Sequence, residues 1–158
     1  MITADNPWGA AEFLRQHNTS TEHPDTVQAF CLYSRVGELV GAISFHHANS
    51  RSVMGDIALK EGHNPRRLIH IALWYAFAQL KVKRLTMFVA AHNLKSIAFV
   101  ERLGAYRGAT LIDGCSDGEV YIYYLLPDQC PLWSRLNGKT VKYTGSAGPE
   151  GNGPTSRD

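Results

Sequence analysis

One stretch of this chain restricts its fold more than any other. Residues 56–106 read strand, turn, helix, strand, helix. The turn is Glu61-Gly62-His63-Asn64-Pro65-Arg66-Arg67. The segment after it, residues 68–77, is apolar on nearly all sides, which marks a helix buried against a sheet. Residues 84–90 are apolar and β-branched, and read as a strand. Asn93 then opens a second amphipathic helix, and Gly104 suits its end. A strand, a helix and a strand at this length imply a parallel pair joined by a crossover.

The flanking segments complete a sheet. Residues 27–34 and 38–47 read as strands of a hairpin around Arg35-Val36-Gly37. Gly41 within the second strand marks a bulge or a close backbone approach. After a turn at Asn49-Ser50-Arg51, residues 52–60 form a third antiparallel strand. Residues 106–113 and 119–126 form a last hairpin around Gly114-Cys115-Ser116-Asp117-Gly118. Before the sheet, residues 7–16 make a helix with Asn6 as cap and Pro7 in its first turn. Trp8, Ala11 and Leu14 fall at helical spacing there. Residues 17–26 are polar and read as a loop. Residues 128–137 form a short helix or turn docked through Leu132, Trp133 and Leu136. From Gly138 onward come five Gly, two Pro and few apolar residues, too little to offset ordering entropy. The expected organisation is one domain over 1–137 and a flexible tail over 138–158.

Composition narrows the function. The 158 residues suffice for one ordinary domain. A formal charge of +2 lacks the basic excess of a nucleic-acid binder. The cluster Arg66, Arg67, Lys81, Lys83 and Arg84 is the sole support for that class, and clusters this small are usually solvated faces. No apolar run reaches the roughly 20 residues that cross a bilayer. The first residues carry no basic-then-apolar segment, so no secretory signal is expected. Cys31, Cys115 and Cys130 are odd in number and lack metal-type spacing, which fits reduced thiols in a cytoplasmic protein. Neither Gly-x-x-x-x-Gly-Lys nor Gly-x-Gly-x-x-Gly occurs.

Two features carry chemistry. The helix start after Asn64 presents unpaired N–H groups and the positive end of a helix dipole, with Arg66 and Arg67 adding cations. That combination suits a diphosphate, although a plain helix start with solvated arginines has the same sequence. Asn93-x-x-Ser96 is the second feature, and alone it is equally well a capped helix.

Taken in order, residues 27–126 resemble the GNAT superfamily of acetyl-coenzyme-A-dependent N-acyltransferases. The resemblance rests on Val40-Gly41-Ala42-Ile43-Ser44-Phe45, the phosphate turn, and Asn93-x-x-Ser96-x-x-x-x-Glu101-Arg102-Leu103-Gly104-Ala105. The last segment is most similar to the branch of ribosomal-protein N-terminal acetyltransferases and to small phage-encoded members. The resemblance implies an α/β (α+β) fold: a mixed, mostly antiparallel twisted sheet of about six strands, one parallel pair splayed for the cofactor, helices on both faces. It implies acetyl-coenzyme A as cofactor. Ile57, Ala58 and Leu59, on the strand that includes Asp56, are expected to meet the pantetheine arm. Asn64, Arg66, Arg67 and Leu68 are expected around the diphosphate. Asn93 and Phe99 are expected beside the cofactor, and Ser96 close to the thioester sulfur. The sequence departs from the family in four places. Pro65 stands in the cradle, Val100 replaces a frequent tyrosine acid, Ala105 replaces a frequent Phe, and no first strand is evident before the helix at 7–16.

The expected reaction is direct acetyl transfer to a primary amine. Neutralising an α-amine at pH 7 costs only about 1 kcal/mol, whereas a lysine amine costs about 4–5 kcal/mol and wants a positioned base. A protein α-amine or a small-molecule amine is therefore the expected acceptor, with Asp56 and Ser96 as catalytic residues. Glu61, His46 and His47 are further candidate bases. His46 and His47 are neighbours on one strand and point to opposite faces, so both cannot serve one site. The chain is compatible with a monomer or a homodimer. The alternative is a catalytically degenerate structural or interaction protein of the same fold, such as a phage virion or host-interaction component.

Overall fold

The computed structural model describes residues 1–17 and 28–136. The polar loop and the Gly/Pro-rich tail fall almost wholly outside those residues. Among the described residues one seven-stranded sheet organises the chain. Its strands are β1 Ile2–Thr3, β2 Gln28–Tyr33, β3 Leu39–His46, β4 Ser52–Leu59, β5 Arg84–Ala90, β6 Tyr106–Cys115 and β7 Gly118–Leu125. Their order is β1-β2-β3-β4-β5-β7-β6. Only β4 and β5 pair in parallel. The helices are α1 Pro7–Gln16, α2 Arg66–Trp74, α3 Leu94–Arg102 and α4 Pro131–Leu136. α2 continues into a π-helical segment, Tyr75–Gln79. None of the described helices is long and apolar enough to cross a membrane.

The expected mixed, mostly antiparallel α/β sheet is present, with one strand more than the six expected. The extra strand is β1, the first strand that the sequence did not reveal. It has two residues, too few for any alternation to register. Tyr33 N–H donates to Met1 O at 2.8 Å, and the Met1 amino group donates to Tyr33 O at 2.9 Å. Ile2 and Thr3 are both buried.

Alternation along the strands builds two cores. Phe30, Ile43, Phe45, Val53, Leu85 and Met87 pack beneath α2 and α3. Ala29, Cys31, Ala42 and Ala58 face α1. α1 starts as read: Asn6 Oδ1 accepts the Gly9 N–H at 2.8 Å, and Pro7 follows the cap. Its buried face differs from the expected one. Ala10, Phe13 and Leu14 are buried, whereas Trp8 is 59% exposed. Ala10, Phe13 and Leu14 fill the face turned to the small sheet residues Ala29, Cys31, Ala42 and Ala58. Gly41 marks both suspected features. A Cβ on it would meet Leu59 Cδ1 at 2.7 Å. A register shift also lies between its partner Leu32 and Tyr33.

Candidate active site

The site begins where two strands part. β4 pairs with β5 only through Ser52–Arg84, Val53–Leu85 and Met54–Thr86. β4 keeps its ladder with β3 through to Leu59, and β5 keeps its ladder with β7 through to Ala90. Beyond Met54 the two strands therefore diverge, and the β5-facing edge of β4 has no strand partner among the described residues. A cleft of about 630 Å³ opens there. Gly55, Asp56 and Ile57 form one wall, and residues 87–90 with α3 form the other. The end of α1, with Arg15 and His17, reaches one rim. Cys115, Ser116 and Asp117 of the β6–β7 turn also line it.

Of the residues read as functional, Asp56, Ile57, Asn93, Ser96 and Phe99 come together in this cleft. The Asn93 cap sets the start of α3, with its Oδ1 accepting the Ser96 N–H at 3.0 Å. That bond fixes Ser96 in the first turn, half-buried at the cleft wall. It also commits the Asn93 carbonyl oxygen to the helix and leaves the amide NH2 for a ligand. Val100 is 3% exposed at the cleft wall and carries no proton donor.

Ala58, Leu59, Asn64, Arg66, Arg67 and Leu68 do not line this cleft. The Ala58 side chain packs towards α1, and Leu68 is fully buried, so each offers main chain alone. Arg66 and Arg67 are exposed at the start of α2. The helix opens one residue later than the sequence suggests, with Pro65 itself in the cap position. Asn64 Oδ1 accepts the Arg66 N–H at 2.9 Å. Proline has no N–H, so the first turn keeps those of Arg67 and Leu68 outside the helical bonding pattern. Lys95 Nζ lies 3.3 Å from Glu61 Oε1, linking this turn to the start of α3. Glu61 is thereby an exposed surface acid that does not line the cleft. Burial, and secondarily Arg66, hold the His70 imidazole below its ordinary pKa.

Register brings in a partner that the sequence separates by ten positions. Ser44 lies opposite Asp56, and His46 opposite Met54. His46 and Asp56 are thus diagonal neighbours on one face. Their side chains meet at 2.6 Å, Nε2 to Oδ2, and are 10% and 11% exposed. A carboxylate only accepts hydrogen bonds, so Nε2 carries the proton and donates. At the rim, Arg15 is held by Glu12 at 2.7 Å, which offsets its charge. The carboxylates of Asp56 and Asp117 are the acidic groups of the lining. His17, His92 and the residues 115–117 were not singled out from sequence, because nothing local marks them. Among the described residues no group of three His, Cys, Asp or Glu is placed to hold a metal ion.

A family model described as the acetyltransferase (GNAT) family matches residues 3–105. No curated protein matches the chain in sequence. Solved structures of a spermidine N-acetyltransferase from Vibrio cholerae share the architecture. A single-substitution mutant of it aligns with a TM-score of 0.66 at 19% identity, covering 80% of this chain and 92% of that one. Mutant forms with glutamate replaced by glutamine give 0.65 at 19% identity, covering 89% and 99%. A complex of that enzyme with CoA and spermine gives 0.60 at 23% identity, covering 75% and 73%. At these identities the likeness speaks to the fold.

Proposed function

The chain belongs to the acetyltransferase (GNAT) family, and from that premise we propose that it acetylates a small-molecule primary amine, with Asp56 and Ser96 as its catalytic residues. It is an acyltransferase whose cofactor is acetyl-coenzyme A. The observation that carries the reading is that Asp56 and Ser96 line one cleft, on β4 and on α3, where the two strands part.

The residues present fit the cofactor. The β4 edge beyond Met54 has main-chain groups with no strand partner on that side among the described residues. The first turn of α2 offers the N–H groups of Arg67 and Leu68 beside the exposed Arg66 and Arg67 side chains. Asn93 has amide hydrogens to spare. Acetyl-coenzyme A, when bound, supplies an acetyl thioester with a thiolate leaving group of pKa about 8.5. Ser96 Oγ donates a hydrogen bond towards that sulfur. The Asp56 carboxylate draws an ammonium into the cleft and takes the proton the nitrogen must shed. An α-amine costs only about 1 kcal/mol to neutralise at pH 7, whereas the primary amine of a polyamine, like a lysine amine, costs about 4–5 kcal/mol and needs Asp56 as a positioned base.

The acceptor follows from the acidic lining. A second carboxylate, Asp117, sits in the same cleft as Asp56 and suits an amine carrying a further positive charge. A structural neighbour in complex with spermine supports this class. A protein α-amine is the second reading, favoured by the segment Asn93-x-x-Ser96-x-x-x-x-Glu101-Arg102-Leu103-Gly104-Ala105. Thiol release from acetyl-coenzyme A tests both, with spermidine and a short peptide bearing a free α-amine as acceptors. Turnover should fall in Asp56→Asn and in Ser96→Ala with cofactor affinity little changed. A protein that binds acetyl-coenzyme A and turns over no amine would instead be the non-catalytic form of the fold. One that neither binds it nor shows a thermal shift would refute the reading.

A further inference from the structure

The geometry points to His46 as a positioning residue that holds the Asp56 carboxylate in its proton-accepting orientation. The inference rests on the reading of Asp56 as the proton acceptor. His46 is outside the cleft lining, whereas Asp56 is part of it. A residue behind the cleft wall acts on the reaction only through the one that faces it.

Three observations separate this arrangement from a chance contact between strands. The first is the choice of partner. Ser44 lies directly opposite Asp56, is 2% exposed, and its Oγ has no hydrogen-bond partner among the described residues. A strand pair that only needed a satisfied carboxylate would have closed on that hydroxyl. Asp56 instead takes the diagonal imidazole at 2.6 Å. The second is the bond itself. It is as short as charge-assisted hydrogen bonds become, and both side chains are nearly buried, so water competes little for either. With Oδ2 engaged, Oδ1 is the oxygen left for a ligand. The third is the bracing of the ring. His47 lies just past the end of β3 with φ of +50°, a backbone state uncommon for a residue with a side chain. The two side chains therefore do not point to opposite faces as strand alternation predicts, and the His47 ring meets the His46 ring edge-on with centroids 5.0 Å apart. A base oriented by a third group is a recurrent device of catalytic sites.

The test uses the full chain and three substitutions at one position. His46→Gln keeps an N–H donor close to the place of Nε2. His46→Asn shortens the side chain and withdraws it, and His46→Leu removes it. Acetyl-coenzyme A is supplied with spermidine or the short peptide, whichever the wild type turns over. His46→Asn and His46→Leu should lower kcat by about 100-fold with little change in acceptor KM, and His46→Gln should recover most of that loss. In the Asp56→Asn background His46→Leu should add no further loss. A slow Asp56→Asn beside a normal His46→Leu overturns the positioning role and leaves Asp56 as the base. A normal Asp56→Asn overturns both. Equal losses in His46→Gln and His46→Leu also overturn the role. An independent readout uses the protein without cofactor. Nitrogen NMR of the His46 ring should show the Nε2-protonated tautomer, altered in Asp56→Asn. A ring protonated at Nδ1 alone overturns the assignment whatever the turnover.

Discussion

The phenol of Tyr123 donates to Glu101 Oε1 at 2.8 Å, tying the last turn of α3 to β7, the strand next to the sheet edge. Tyr123 is 2% exposed on β7, whereas Glu101 is at the surface. Burial first, and then the bond to Glu101, push the Tyr123 hydroxyl up to about 12. An unfolded tyrosine ionises near pH 10, so between about 10 and 12 the folded state holds the proton that the unfolded state loses. Stability therefore falls as pH rises through that window, by up to about 1.4 kcal/mol per pH unit. Tyr123→Phe should lower stability at neutral pH by about 1 kcal/mol and flatten this alkaline slope. Urea melts at pH 7, 10 and 11 would measure both. An unchanged slope would show that the alkaline loss comes from other groups.

The start of α2 makes a prediction in which stability and binding move in opposite directions. Asn64 satisfies the Arg66 N–H, and Pro65 removes a donor altogether. Asn64→Ala should cost about 1 kcal/mol of stability, as loss of a hydrogen bond to the first helical N–H does. It also frees the Arg66 N–H for an anion. Pro65→Ala adds a donor at the same turn and should tighten acetyl-coenzyme A by a few fold. Calorimetric titration paired with thermal melts reads the two effects separately. Weaker binding in Pro65→Ala would place the diphosphate elsewhere.

Gly104 ends α3 with φ of +96°, in the left-handed region that favours glycine. A Cβ there would lie 2.1 Å from the carbonyl oxygen of Gln129, so backbone from the segment before α4 closes over it. Gly104→Ala combines a strained φ with a clash against main chain that cannot rotate away. It should destabilise by about 2–4 kcal/mol. Gly37, with φ of +82° and open space around it, makes the control. Gly37→Ala carries the conformational strain without the clash, and its loss should be about 1–2 kcal/mol. Comparable losses at the two positions would remove the close approach as the cause.

Much of this was readable from residues because it depends on short-range pattern. Hairpins carry two-residue alternation with turn residues between, and Asn6 and Asn93 cap the helices they precede. What depends on pairing was not. β1 is two residues long and is defined only by its pairing with Cys31 and Leu32 of β2. His46 and Asp56 each read as a separate candidate base. Only the β3–β4 register, with Ser44 opposite Asp56, makes them one unit. Trp8 read as part of a buried stripe because spacing gives the period of a face and not which face meets the sheet. Cys115, Ser116 and Asp117 share a cleft with Asp56 through the folding of β6 and β7 alone, across some sixty positions of sequence that carry no trace of it.

The three cysteines are predicted to differ sharply in reactivity, and one should report on the cleft. Cys31 is 1% exposed, and burial pushes its thiol up to about 11. Cys130 is fully buried, and burial raises its pKa as well. The thiolate is the reactive form, so at pH 7.5 both present almost none of it, behind a packed surface. Cys115 is partly exposed and lines the cleft. Brief treatment of the native protein with iodoacetamide should therefore label Cys115 alone, identified by peptide mass, and label all three after denaturation. Because Cys115 shares the cleft with Asp56 and Ser96, saturating acetyl-coenzyme A should slow its labelling several-fold. Cys115→Ser should abolish native labelling and leave the melting temperature nearly unchanged. Native labelling of Cys31 would show that the α1 face opens readily. A Cys115 rate indifferent to acetyl-coenzyme A would place the bound cofactor away from the β6–β7 turn.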